Sequence, residues 1–257
     1  MSNDNRDIGY AAVGLIFGVW AFFHGFKKLR RKRRIENIPT STVRGMAMGL
    51  VEVFGSVEPS IELYSALTHT PCVFFHYTIE EYRRSGKSGH WVRVDHGNSF
   101  ECPFWLGDGT GKVLIYPRGA ELMLPVDYEY TTSLGMTIPD HLAGYMAKKG
   151  MRHKSMFGTR NLRFKEWFIA PGEEVYVLGT AKKTKYKIAP KDPSPGDVTD
   201  VVIGRGTSDR LFMISDSSEK ELVKKLFTHS LWGIYGGAAL SLAMLVYLMV
   251  RLGLISF

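Results

Sequence analysis

The chain has 257 residues and a formal charge of +8. Seven of its positive charges sit in one block, Lys27–Arg34, so the remainder is close to neutral at about +1. The basicity is local and gives no argument for nucleic-acid binding elsewhere; two cysteines without CxxC spacing, Cys72 and Cys102, exclude a disulfide framework and a zinc knuckle.

A short tail, residues 1–8, leads into an apolar run over residues 9–26 that holds no Asp, Glu, Lys or Arg. Roughly 17–25 apolar residues cross a bilayer as a helix, so this run is long enough. The basic block at 27–34 follows, with Lys27, Lys28, Arg30, Arg31, Lys32, Arg33 and Arg34 around the single uncharged Leu29. Basic residues flanking a span stay on the cytoplasmic side, which puts the N-terminus outside. A secretory signal would carry its charges before the apolar run, the reverse of the order here. The seven cations are expected to attract anionic lipid headgroups.

Residues 35–229 form one soluble domain with no internal repeat and a mainly strand-like pattern. Gly49–Val57 alternates around Val51, Val53 and Val57, and Cys72–Tyr82 is rich in β-branched and aromatic residues. Phe100–Leu106 and Lys112–Tyr116, joined by Gly-Asp-Gly-Thr-Gly, read as a hairpin. Arg163–Ile169 with Glu174–Gly179 around Pro171-Gly172 reads as a second, and Val201–Ile203 with Leu211–Ser215 as a third. Residues 86–99 and 182–198 read as loops, the first of them mobile. A helix is expected after Pro139, with Leu142, Tyr145 and Met146 on one face, and another near 217–227. The fold class is α+β, mostly β: a small barrel-like, OB-like domain between two transmembrane helices.

The second apolar run covers residues 231–250, followed by a tail at 251–257. Lys224 and Lys225 precede it and only Arg251 follows, which again places the upstream side inside. Gly14 and Gly18 in the first run, and Gly233 and Gly237 in the second, recur at helical spacing. Small residues at that spacing let helices approach closely in lipid, so an antiparallel pair is expected, or contacts of the same kind between copies of the chain.

The polar residues suggest little catalysis. Gly107–Lys112 has the composition of a phosphate loop, but its glycine spacing is wrong and Val113 follows the lysine, so it reads as a turn. Cys72, His76, His90, His96 and Cys102 are metal-capable but lack paired spacing. No local signature selects a Cys–His nucleophile. Arg152–Trp167 mixes basic and aromatic residues, more simply a solvated strand face than a nucleic-acid groove. Glu80, Glu81 and Glu166 carry no assignable chemistry. No catalytic residue, metal or cofactor is expected.

Ile38–Glu52, Leu67–Tyr77 and Arg163–Ala181, with the segments Gly-Leu-Val-Glu-Val and Thr-Pro-Cys-Val in that order, resemble the GIDE domain, also called BAM. The resemblance spans anchor, domain and second anchor. It implies kinship with a RING-type E3 ubiquitin ligase of the mitochondrial outer membrane, and hence roles in protein ubiquitination and organelle organisation. A RING needs two zinc ions held by Cys and His residues, and two cysteines cannot supply them. The chain therefore looks like the RING-less, prokaryotic-type members. The expectation is a multi-pass protein of the cell inner membrane, its domain cytoplasmic and both termini outside. It would act as a non-catalytic scaffold or sensor with a protein partner still to be found.

Overall fold

The computed structural model describes residues 2–36, 38, 40–86, 88–132, 138–151, 154–155, 158–159, 161–185, 187–207, 209–216, 232–252 and 254–255. They fall into two compact units. One is Met1–Pro39 with Glu219–Phe257; the other is Thr40–Ser218.

The first unit contains a 35-residue helix, α1 (Ser2–Glu36), which carries the apolar run and the basic block without a break. A π-helical turn, Trp232–Gly236, leads into the second helix of this unit, Gly237–Arg251. Windows at Ile8–Lys27 and Gly233–Arg251 are long and apolar enough to cross a membrane, and only 17% and 6% of them is buried within the protein. Val13, Ile16, Phe17, Trp20 and Phe23 are each more than half exposed. A core helix of a water-soluble protein would hide those side chains; here they offer a continuous apolar surface, as a helix facing lipid does.

Among the described residues, the second unit holds thirteen strands and one helix. In chain order they are β1 (Gly49–Pro59), β2 (Phe74–Ser85), β3 (Ser88–Asn98), β4 (Phe104–Gly107), β5 (Lys112–Ile115), β6 (Glu121–Met123), β7 (Tyr128–Thr131), α2 (Asp140–Lys148), β8 (Lys154–Ser155), β9 (Gly158–Thr159), β10 (Leu162–Ile169), β11 (Glu174–Lys183), β12 (Val198–Gly204) and β13 (Met213–Ser215). Gly237–Arg251, in the first unit, is α3.

Five strands close into a barrel in the order β1-β4-β5-β12-β11 and back to β1. Counted along the chain, that is first, second, third, fifth, fourth. Only β5 and β12 run parallel; every other pair in the ring is antiparallel. This is a Greek-key closure of the OB type. Strand β1 serves two neighbours: Gly49–Ser56 pairs β11, and Ser56–Pro59 pairs β4. The changeover falls at Ser56, next to Gly55, at which a Cβ would overlap the Gly107 carbonyl. Val51, Val53, Val57, Phe104, Leu106, Val113, Ile115, Val175, Val177 and Ile203 fill the interior. β13 and β6 extend the sheet beyond β11.

A second sheet, in the order β3-β2-β10-β7, is antiparallel throughout. One face packs with α2 in a separate core of Tyr77, Ile79, Leu162, Phe164, Leu142 and Met146. At the base of the sheet, Phe74 and Ile169 sit opposite each other and belong to the barrel core instead.

Three sequence expectations change. β10 and β11 are not a hairpin: the Pro171-Gly172 turn carries the chain from one sheet to the other, and Gly172 N–H and the Glu173 carbonyl bond to Val57. β12 and β13 are not one either: both pair β11 along the edge opposite β1, β12 at Thr180–Lys183 and β13 at Tyr176–Leu178, and not each other. Residues 88–98 of the expected loop are strand β3, paired along its length with β2. The hairpin β4–β5 forms as expected. The segment 217–227 lies outside the described residues.

Candidate functional site

Cys72 is buried and unpaired. Burial, the nearby Glu166 carboxylate and Cys102 together push its thiol up to about 12. A nucleophilic cysteine needs the opposite shift, toward thiolate at neutral pH. Cys102 is a free thiol, partly exposed. Among the described residues, no three His, Cys, Asp or Glu side chains gather as metal ligands would.

Glu166 turns out to be an anchor. It is fully buried on β10, and its carboxylate accepts from Leu67 N–H at 2.7 Å, Thr68 N–H at 3.0 Å and the Thr68 hydroxyl at 2.7 Å. Ser65, Thr68 and Thr70 complete a hydroxyl network inside the same loop. Its tip is the exposed His69, at a positive φ of 55°. Two of the family-like segments therefore meet through one carboxylate. Buried charges persist when several donors surround them, which is what this loop supplies.

The Gly107–Lys112 stretch is a turn held by Asp108. Its carboxylate accepts from Thr110 N–H, the Thr110 hydroxyl and, across the chain, Val43 N–H at 2.8 Å. Partial burial raises its affinity for a proton, but these bonds outweigh that and hold it below the usual carboxylate range. Lys112 Nζ pairs with Glu58 at 2.7 Å, so no free lysine stands over the turn.

Strands β4 and β5 also present a face away from the barrel interior. Trp105 and Leu114 pair across the strands, opposite in direction to the core residues beside them, and both are buried.

The open site lies on the other face of the second sheet. His76 on β2 and Trp167 on β10 are cross-strand partners with stacked rings 5.2 Å apart. With Phe100, Ala120, Leu122 and Leu124 they line a cavity of about 330 Å³. Burial lowers the His76 pKa below 6.5; a backbone bond at Gly97 opposes this, while Arg93 and His96 add to it. His76 is thus a neutral imidazole at pH 7. Beyond it, the same face carries Lys165 paired with Glu129, and Arg163, which bonds Glu80 at 2.6 Å and lies 4.4 Å over the Trp91 ring. On the opposite face, Tyr77, Tyr145 and Asp95 share hydrogen bonds that tie α2 to the sheet.

In the first unit the glycine stripes lie between the helices. A Cβ on Gly18 would stand 2.8 Å from Ser241 N, one on Gly237 2.6 Å from Phe22 N, one on Gly14 3.2 Å from Met244 Cγ, and one on Gly233 3.2 Å from Gly25 Cα. The pair is antiparallel, since Gly14 meets Met244 while Gly25 meets Ile234. Gly25, seven residues beyond Gly18 on the same face, makes one of the tightest approaches, 2.8 Å from a Cβ there to Ile234 N. Of the basic block, Lys27, Arg30 and Arg33 are exposed. Lys27 and Arg30 border a hollow with Phe22, Phe23 and Phe26. The side chains of Lys28, Arg31, Lys32 and Arg34 lie outside the described ones.

These features define a class: an OB-type barrel joined to an open-faced sheet, in a chain with two helices able to span a bilayer. The chain belongs to the GIDE family, whose model is described as E3 ubiquitin ligase and matches residues 76–248, more than half of the sequence. No curated protein and no solved structure matches it.

Proposed function

We propose that this protein is a membrane-tethered binding module that recognises another protein through the open face of its second sheet. The observation that carries this is the His76–Trp167 cavity, an apolar recess whose Phe100, Ala120, Leu122 and Leu124 back onto the barrel core. Sites that select a partner side chain have this make-up. The nucleophile candidates point away from chemistry, because Cys72 is held as a thiol and Glu166 is fully engaged by its loop. The two helices anchor the module in the cell inner membrane, with the domain cytoplasmic, both termini outside and the basic block on anionic headgroups.

A second reading follows from the family description, E3 ubiquitin ligase. These residues hold two cysteines, so zinc-dependent recruitment of a conjugating enzyme would come from outside them. The module would then select what is modified. Cross-linking in native membranes with a photoreactive residue in place of Leu122 tests the main reading. A discrete protein adduct from the cytoplasmic side supports it, and an adducted conjugating enzyme or ligase favours the second. Lipid adducts alone reject both.

A further inference from the structure

Strand β3 is the outer strand of the second sheet. Its inner edge pairs β2 from His76↔Asn98 to Ser85↔Ser88, and among the described residues no strand pairs its outer edge. Eleven residues is long for an edge, and an open edge is a template for another strand. The composition decides which strand it accepts. His90, Arg93 and His96 on β3 are exposed, as are Arg83 and Arg84 on the adjoining part of β2. The acidic groups nearby are already engaged: Glu80 with Arg163, Glu81 with Arg83, and Asp95 with the Tyr77 and Tyr145 hydroxyls.

We propose that the outer edge of β3, over Gly89–Asp95, binds an extended acidic segment of a partner protein as an added antiparallel strand. This rests on the binding-module reading above and names the partner's chemistry. Main-chain bonds along an edge provide affinity for any extended peptide, and side chains at alternate positions select among them. Glu or Asp at every second position falls beside Arg93 and its neighbours. A second copy of the chain is disfavoured, because pairing β3 with itself across a two-fold axis brings like charges together. The irregularity between Ile79 and Glu80 bends the ribbon at Arg93, a further guard against flat self-pairing. Trp91, braced by Arg163 and Tyr82, stiffens the ribbon on which the edge sits.

The test uses the full chain in nanodiscs, with a ten-residue peptide of alternating Glu and Val and its Lys-Val counterpart as probes. Hydrogen exchange is followed on the β3 amides. The expected result is protection of amides within 89–95 by the acidic peptide only. Arg93→Glu should weaken that peptide about tenfold and shift preference toward the Lys peptide. A swapped preference cannot arise from misfolding. Equal binding of both peptides, or protection confined to residues lining the His76–Trp167 cavity, overturns the edge-strand assignment; the second outcome leaves the binding-module reading standing. Concentration-dependent protection of β3 without peptide would assign the edge to a second copy and overturn the acidic partner. No binding of either probe by a folded chain overturns it as well.

Discussion

Glu166 shows how a single side chain can join two distant segments. Leu67 and Thr68 present their donors to it from a loop about a hundred residues upstream, and among the described residues no other carboxylate bonds that loop's backbone. Glu166→Gln keeps the size but turns an amide NH₂ toward N–H donors. The expected loss is about 2–3 kcal/mol, or on the order of 5–10 °C in melting temperature, measured by calorimetry on the full chain in detergent. Cys72 should resist alkylation at pH 8 in the folded protein, while Cys102 reacts; mass spectrometry after iodoacetamide treatment separates the two. His76 carries a pH signature. Its folded pKa lies below 6.5, so the unfolded chain binds the proton more readily. Stability should therefore fall as pH drops below about 6.5, and His76→Gln should flatten that part of the profile in a series of thermal melts.

At the scale of elements, two close approaches hold separate parts together, and both depend on glycine. Gly18 lets α1 and α3 meet backbone to backbone. Without a hydrophobic drive between helices in lipid, such packing supplies the association. Gly18→Leu should part them. A disulfide between Gly14→Cys and Met244→Cys, formed by mild oxidant, should appear in the parent sequence and vanish with Gly18→Leu. Gly55 has the equivalent role in the barrel, where β1 passes from β11 to β4 against the Gly107 carbonyl. Gly55→Ala should cost about 1–3 kcal/mol through strain, read as a lowered denaturation midpoint.

For the whole molecule, the orientation proposed above rests on the seven cations between Lys27 and Arg34. In the structure they continue α1 without a break, winding about two turns of helix beyond the apolar run. Neutralising all seven to Gln should mix the orientations. Labelling of Cys102 by an impermeant maleimide, from one side and then the other, would report this. One-sided labelling in the parent and two-sided labelling in the variant is the expected pair of results.

The amino-acid sequence by itself determined the two apolar helices, the basic flank, the predominance of strands, the β4–β5 hairpin and the helix after Pro139. These depend on local periodicity and turn chemistry, which need no knowledge of distant residues. It also carried the family: of the segments read as resembling it, Arg163–Ala181 lies within the matched residues 76–248. Only the tertiary structure decided which strands pair. Arg163–Ile169 and Glu174–Gly179 look like a hairpin around a good turn, yet each buries its apolar side in a different core, so the turn becomes a crossing between sheets. Residues 88–98 looked like a loop because Gly, Ser, His and Asp interrupt them; pairing with β2 supplies the backbone bonds that local propensity does not. The His76–Trp167 cavity was likewise invisible, because its walls come from β2, β6, β10 and the segment after β3, brought together only when two sheets share a base at Phe74 and Ile169.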